Sequence, residues 1–398
     1  MIQKTIFVIA IALGLSNISI AQLTQVQIDE RANAVQLNTI TTAVPFLMIV
    51  PDSRGGAMGD AGVATSADAA SIHHNPAKLA FSDNDMELMM SYSPWLRTLV
   101  NDMNLAYLSG YKKISNKQAV AGALRFFSLG TIAFTDGVGT HIRDFKPAEF
   151  SLDVAFSQKL SERFAGGIAA RFINSNLTDG GDYLGTNTKP GRSLAVDIST
   201  FYSNDDLSLG GKDATLNWGL NISNIGAKMS YTETSKRDFI PANLKTGLAL
   251  QMKLDSYNSL TITGEVNKLL VPTPPIYNPD NPTEILAGKD PNVGTATAIF
   301  QSFGDAPGGF KEEMRELNES IGVEYWYDKQ FAFRTGFFNE HYSKGNRQFI
   351  TLGAGLVYNV FAIDMSYLIS TRQQNPLENT LRFSLKFQFS DGNTPSKG

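Results

Sequence analysis

The sequence predicts an all-β protein, a 14-stranded antiparallel transmembrane barrel of the outer-membrane type with an N-terminal hatch or plug segment. Three observations carry this prediction. From Met86 onward, apolar residues recur at every second position in fourteen short segments, the period that sends alternate side chains to opposite faces of a strand. Short and long connections alternate between the segments, as periplasmic turns alternate with outer loops in such barrels. Finally, in the register of the apolar faces, eleven charges fall on the opposite side: Arg125, Asp153, Arg171, Asp197, Lys245, Glu265, Glu324, Arg334, Asp364, Arg382 and Lys386. Facing lipid, an Arg or Lys near the midplane costs about 2–4 kcal/mol, so these residues belong to the lumen.

Composition narrows the field further. The 398 residues carry 34 Lys plus Arg against 38 Asp plus Glu, which gives no basic surface for nucleic acid. With 42% hydrophobic and 18% charged residues the chain has ample apolar surface to fold. The absence of cysteine removes disulfides, thiolate metal sites and thiol nucleophiles together.

Residues 1–21 read as a secretory signal peptide. Lys4 precedes the apolar run Ile6 to Leu15, and Ser19 and Ala21 occupy the small-residue positions of a cleavage site before Gln22. The apolar run is shorter than the roughly 20 residues of a spanning helix, and no other stretch approaches one, so any membrane role falls to strands or to surface binding. Residues 22–85 lack alternation and are read as the hatch: a short amphipathic helix over Gln25 to Leu37, then a glycine-rich stretch over 52–65. A phosphate-loop reading of those glycines fails, because no Gly-Lys-Ser/Thr follows.

The barrel is expected over 86–390. Its strands are placed near 86–93, 102–113, 118–134, 147–160, 163–174, 192–203, 213–223 and 241–254. Six more follow near 259–270, 318–327, 330–339, 347–358, 360–370 and 379–389. The last is the clearest, with Leu381, Phe383, Leu385, Phe387 and Phe389 alternating with Arg382, Ser384, Lys386 and Gln388. Trp95, Trp218, Trp326, Tyr92, Tyr107, Tyr111, Tyr325, Tyr327, Tyr358 and Tyr367 are assigned to the aromatic belts at the membrane interfaces. A flexible tail is expected over 391–398.

The stretch Asp68-Ala-Ala-Ser-Ile-His-His-Asn-Pro-Ala-Lys-Leu79 resembles the hatch signature of FadL-type barrels, whose Asn-Pro-Ala matches Asn75, Pro76 and Ala77. The preceding Pro51-Asp-Ser-Arg-Gly-Gly-Ala-Met-Gly-Asp-Ala-Gly62, with the chain length and the late Leu-Arg-Phe-Ser-Leu-Lys-Phe, is similar to the PorV family, the outer-membrane barrels of the type IX protein secretion system. That resemblance implies a secretion component with four kinds of contact. It docks on a large translocon protein, receives secreted cargo through a C-terminal signal domain, passes it to a surface attachment complex, and sits in outer-membrane lipid. Within the motif, Asn75-Pro76 makes a rigid turn, and Gly55, Gly56, Gly59 and Gly62 permit positive φ and close packing under a barrel wall.

Chemistry is expected to be absent: no enzyme, cofactor or metal site is read from the chain. Outer-membrane lipid hydrolases need Ser, His and an acid together near the outer rim. His73 and His74 lie in the hatch motif, and His141 and His341 lie in loops away from a serine-bearing strand. The segment 271–317 is longer than the roughly 15 residues beyond which loops are usually functional. It carries Pro272, Pro274, Pro275, Ile276 and Tyr277, then Phe300, Phe303 and Phe310. Stiff, aromatic segments of this kind anchor protein partners at low entropic cost, and the same residues would equally close the loop over its own barrel mouth. A FadL-like channel for hydrophobic small molecules is the alternative function; the charged lumen opposes it.

Overall fold

The computed structural model describes residues 37–97, 100, 102–135, 138–178, 182–183, 186–232, 237–278, 280–372 and 377–390. The leader expected over 1–21, the helix expected over 25–37 apart from Leu37, and the tail expected over 391–398 lie outside these residues.

Alternation becomes strand pairing along the chain. The barrel strands are β1 (Met86–Pro94), β2 (Asn104–Ser115), β3 (Gln118–Ser128), β4 (Ala148–Lys159), β5 (Phe164–Asn176), β6 (Gly191–Leu209) and β7 (Lys212–Gly226). They continue as β8 (Asn243–Lys253), β9 (Asn258–Leu269), β10 (Leu317–Tyr327), β11 (Phe331–Asn339), β12 (Gln348–Tyr358), β13 (Phe361–Ser370) and β14 (Leu381–Phe389). Every strand pairs antiparallel with its sequence neighbours, and β1 closes on β14 from Met86↔Phe389 to Tyr92↔Phe383. Closure leaves no edge with unpaired backbone groups, the requirement for a sheet in lipid. No described helix is long and apolar enough to cross a membrane.

Each of the fourteen expected segments coincides with a strand, and two ends move for physical reasons. The third stops at Ser128 rather than 134: Gly130 adopts a φ of +85°, and Ile132–Thr135 pairs instead with His141–Phe145 as a surface hairpin. The sixth runs on to Leu209 and turns directly into β7 through Gly210 and Gly211, at φ of +61° and +79°. Positive φ at both central residues is the hairpin turn whose twist suits antiparallel strands. Asn204, Asp205 and Asp206 interrupt the apolar alternation here. At 19 and 15 residues, β6 and β7 exceed the roughly 9–11 that cross a bilayer, so their shared end projects beyond it.

The two faces separate cleanly. Leu152, Val154, Ile168 and Leu194 point outward and are exposed, whereas all eleven charges assigned to the lumen are buried. Glu87 and Glu149 join them on the inner face. The aromatic assignment divides: Tyr92, Tyr327 and Tyr358 lie outside, but Tyr107, Tyr111 and Trp95 are buried. Tyr107 and Tyr111 share the inward parity of Leu105 and Ser109 on β2, and Trp326 faces inward beneath the Arg334 guanidinium at 5.3 Å.

Inside the wall lies the hatch, which is built of four short helical turns. These are a 3-10 turn at Pro45–Met48, α1 (Ser53–Ala57), α2 (Ser71–His74) and a 3-10 turn at Pro76–Phe81. Ile72 and Leu79 pack against Tyr107, Tyr111, Ala155 and Ala169 of the wall. Nearer the mouth, Phe46 and Leu47 pack with Trp95, Leu105, Phe127 and Ile173.

Candidate functional site

Hydrogen bonds and ion pairs fasten the hatch to strands all the way round the wall. On the β14 side, the Ser53 amide donates to Ser384 Oγ at 2.9 Å, Asp60 pairs with Arg382 at 3.4 Å, and Asp68 pairs with Lys386 at 3.3 Å. Across the lumen, Glu265 of β9 accepts from the Gly62 and Val63 amides, both at 2.8 Å. Ser199 of β6 accepts from the Ala77 amide at 3.0 Å, and Ser157 of β4 accepts from Ala80 at 3.1 Å. Asn221 of β7 donates to the His74 carbonyl at 3.1 Å.

At the centre, Arg54 forks onto Glu324 through Nε and Nη2 at 2.9 and 2.8 Å. Glu324 also takes Arg334, which in turn holds Asp364, and Asp364 holds Lys386. A second set joins Arg171 to Asp153 at 2.6 Å and Asp197 at 3.0 Å. Buried charges persist only when paired and hydrogen-bonded. Arg125 meets the same requirement without a carboxylate, donating to the carbonyls of Phe46 and Leu47 and to His73 Nδ1 at 2.7 Å.

The titratable groups of the hatch follow from this packing. Burial opposes the charge of Asp52, but His74 at 2.8 Å outweighs it and holds the carboxyl at about 2. Burial likewise opposes ionisation of Asp68, and Lys386 and Arg54 drive its carboxyl below the usual carboxylate range. Burial, reinforced by Arg125, pushes His73 well below the ordinary imidazole value. It is therefore neutral, and its Nδ1 accepts from Arg125.

The motif residues come together around His74. Gly55 and Gly56 lie in α1, where a Cβ on Gly55 would stand 2.7 Å from His74 Nε2 and one on Gly56 2.4 Å from Arg382 Nη1. A Cβ on Gly62 would stand 2.2 Å from His74 Nδ1. Among the four, Gly59 has the positive φ, +69°, and its amide donates to Thr351 of β12 at 3.0 Å. Asn75 is extended, caps the turn that starts at Pro76 by accepting from the Ala77 amide, and donates to the Val63 and Thr200 carbonyls. The wall answers with glycine: a Cβ on Gly336 would lie 2.0 Å from the Gly59 nitrogen.

Above the hatch, a cavity of about 620 Å³ opens at the mouth, lined by Phe46, Ile49, Trp95, Phe127 and Phe349 with Arg347 and Arg382. No described residue of the segment 271–317 lines it. That segment forms a hairpin from Ile276–Asn278 and Asn281–Ala287, then α3 (Thr295–Gln301) and α4 (Phe310–Arg315). The α3 helix rests on the outside of the wall, enclosing a cleft of about 610 Å³ with Ile222, Ile225 and Leu244, and Thr295 donates to the Gly226 carbonyl. Lys268 and Lys344 clamp the base onto Glu312, Glu313 and Glu316 at 2.5–3.0 Å. Of the residues singled out in sequence, Pro274 and Tyr277 are exposed, Ile276 is half-buried and Pro275 is buried. Phe300 and Phe310 are each 80% exposed and Phe303 is 53% exposed.

His141 sits on the surface with Asp144 at 2.8 Å, and His341 bonds Ser343. Among the described residues no cluster of His, Cys, Asp or Glu could hold a metal ion. The ring of cations at the outer rim, Lys189, Arg192, Lys228 and Arg237, escaped sequence reading because its members come from three separate segments.

A family model described as Type IX secretion system protein PorV matches residues 31–276. Among solved structures, the chain is similar to the Ralstonia pickettii toluene transporter TbuX at 9% identity, covering 85% of this chain and 98% of that one with a TM-score of 0.46. It is similar to the P. putida toluene transporter TodX at 10% identity, covering 89% and 100% with a TM-score of 0.48. A Pseudomonas aeruginosa FadL homologue is 12% identical, with coverage of 89% and 100% and a TM-score of 0.44. No curated protein matches the chain.

Proposed function

The chain belongs to the PorV family, and as an outer-membrane barrel of the type IX secretion system we propose that it works by its outer surface rather than through its lumen. In this reading it docks on the large translocon protein, binds the C-terminal signal domain of exported cargo, and carries that cargo to the surface attachment complex. The supporting observation is the exposed trio Phe300, Phe303 and Phe310 on a loop whose base is clamped by Lys268 and Lys344. Aromatic side chains on a pre-ordered scaffold form contact anchors with little entropy left to lose. Pro274, Pro275, Ile276 and Tyr277 brace the same loop, while the glycines of 55–62 and Asn75, Pro76 and Ala77 have the structural role of seating the hatch.

The test is mild solubilisation of the native barrel, affinity capture and mass spectrometry, repeated on the triple variant Phe300→Ser, Phe303→Ser, Phe310→Ser. Recovery of a very large outer-membrane protein and of cargo sharing one C-terminal domain, with at least one of these lost from the variant, supports the reading. A barrel that emerges alone, or a variant with an unchanged set of companions, overturns it.

The mouth cavity favours a second reading, binding of a small hydrophobic molecule. Its apolar wall and open position suit such a ligand. Extraction of the purified barrel and analysis of the released organic phase tests it directly.

A further inference from the structure

The buried cations Arg54, Arg171 and Arg334 inside this barrel are paired with carboxylates, whereas among the described residues four cations at its outer rim are not. Lys189, Arg192, Lys228 and Arg237 line one depression of about 490 Å³ with Pro190 and Ser230. They come from the approach to β6, from β6 itself and from the β7–β8 connection. Among the described residues none of the four has a carboxylate within 4.0 Å. Arg192 Nε donates to the neutral Asn174 side chain at 3.2 Å. Lys228 Nζ stands 4.0 Å over the Phe239 ring, and Asp238 and Asp290 act on it from beyond ion-pair distance. Four like charges around one hollow repel one another, and an anion seated among them would relieve that repulsion.

Position identifies the anion. Arg192 shares its outward face with Leu194 and Val196, and Val196 pairs with Ile225 on β7. Leu194 is 68% exposed and Val196 44% exposed on the membrane side of the wall. Two residues along a strand span about 7 Å, so the cations stand just above an apolar strip, at headgroup height. The connections around them are the long ones, which places the hollow at the outer leaflet. A ligand with phosphates for the cations and acyl chains for the strip matches both halves.

We propose that Lys189, Arg192, Lys228 and Arg237 form a binding site for the phosphorylated headgroup of an outer-leaflet glycolipid, whose acyl chains lie along Leu194, Val196 and Ile225. The site fixes one lipid beside β6 and β7, next to the cleft under α3.

The test uses the full-length purified barrel and fluorescently labelled diphosphorylated lipid A. Wild type is expected to bind it saturably, and the variant Lys189→Gln, Arg192→Gln, Lys228→Gln, Arg237→Gln at least tenfold more weakly. Lipid A stripped of both phosphates and inorganic pyrophosphate should each compete at least tenfold less well than the intact lipid. Single Arg192→Gln, an exposed position, keeps the test valid if the quadruple variant does not fold, and is expected to weaken binding several-fold. Lys253→Gln with Lys329→Gln, at the opposite rim, should leave binding unchanged. Equal binding by the cation variants, equal competition by pyrophosphate, or equal competition by phosphatidylglycerol would each overturn the proposal.

Discussion

Gly336 and Gly59 meet so closely that neither position has room for a methyl group. A Cβ on Gly336 would fall 2.0 Å from a backbone nitrogen and 2.1 Å from a backbone carbon of the hatch, neither of which can rotate away. Gly336→Ala is therefore expected to cost about 1–3 kcal/mol through forced displacement, read as a lower thermal midpoint together with faster proteolysis of residues 43–81. Gly264→Ala, where a Cβ meets nothing within 4 Å, is the matching control. Arg54 raises a different question, because its removal strands Glu324 beside a single remaining cation, Arg334. Breaking a buried pair from one side costs about 3–5 kcal/mol, and Arg54→Ala should lower the unfolding midpoint in urea accordingly. Joint replacement of Arg54 by Met and Glu324 by Leu should recover part of that loss. Which residues face inward was legible, since parity along a strand decides it, and all eleven expected charges lie there. Their partners were not legible: the carboxylate for Arg382 comes from Asp60, across a separation that no local pattern encodes.

Among the elements, the loop of 271–317 has an internal titration of its own. Burial raises the Asp305 carboxyl from 3.8 to about 6, Glu313 and Glu316 adding to it and the Thr273 amide and Lys268 opposing it. The folded loop thus holds a proton that the opened loop releases, so the contribution of Asp305 to its stability is fully present below about pH 4 and is lost as pH rises through about 6. Limited proteolysis within 271–317 should accelerate between about pH 5 and 7, and Asp305→Asn should flatten that dependence. Equal rates across the range in the native protein would contradict the assignment. The strands themselves were legible because burial on one side only imposes the period of two. Polarity hid the end of β6, where Asn204 to Asp206 broke the alternation at a shift of register and backbone pairing resumed from Leu207. The loop showed its aromatic residues but not its location, because nothing in 271–317 reveals that Ile222, Ile225 and Leu244 on the outer wall will receive α3.

For the whole molecule, a filled lumen sets an electrical expectation. In planar bilayers the intact barrel should give no sustained stepwise conductance, and deletion of residues 43–81 should produce it; large steady currents from the intact protein would refute the filled-lumen account. The architecture was legible at this scale because strand number, loop alternation and inward charge agree with one another. The seating of the hatch was not, because backbone amides such as those of Gly62 and Val63 make many of its contacts, and every residue except proline has one.

The fastening of Ser53, Asp60 and Asp68 to Ser384, Arg382 and Lys386 has a consequence for biogenesis. These partners all lie on β14, the strand that closes the barrel, whereas the hatch precedes β1 in the chain. Until β14 zips onto β1, Asp60 and Asp68 lack the cations Arg382 and Lys386 that meet them from that strand. A chain lacking β14 would therefore present an open seam and a hatch loosened on that side together. Closure of the barrel between β1 and β14 and fastening of the plug on that side are therefore one event.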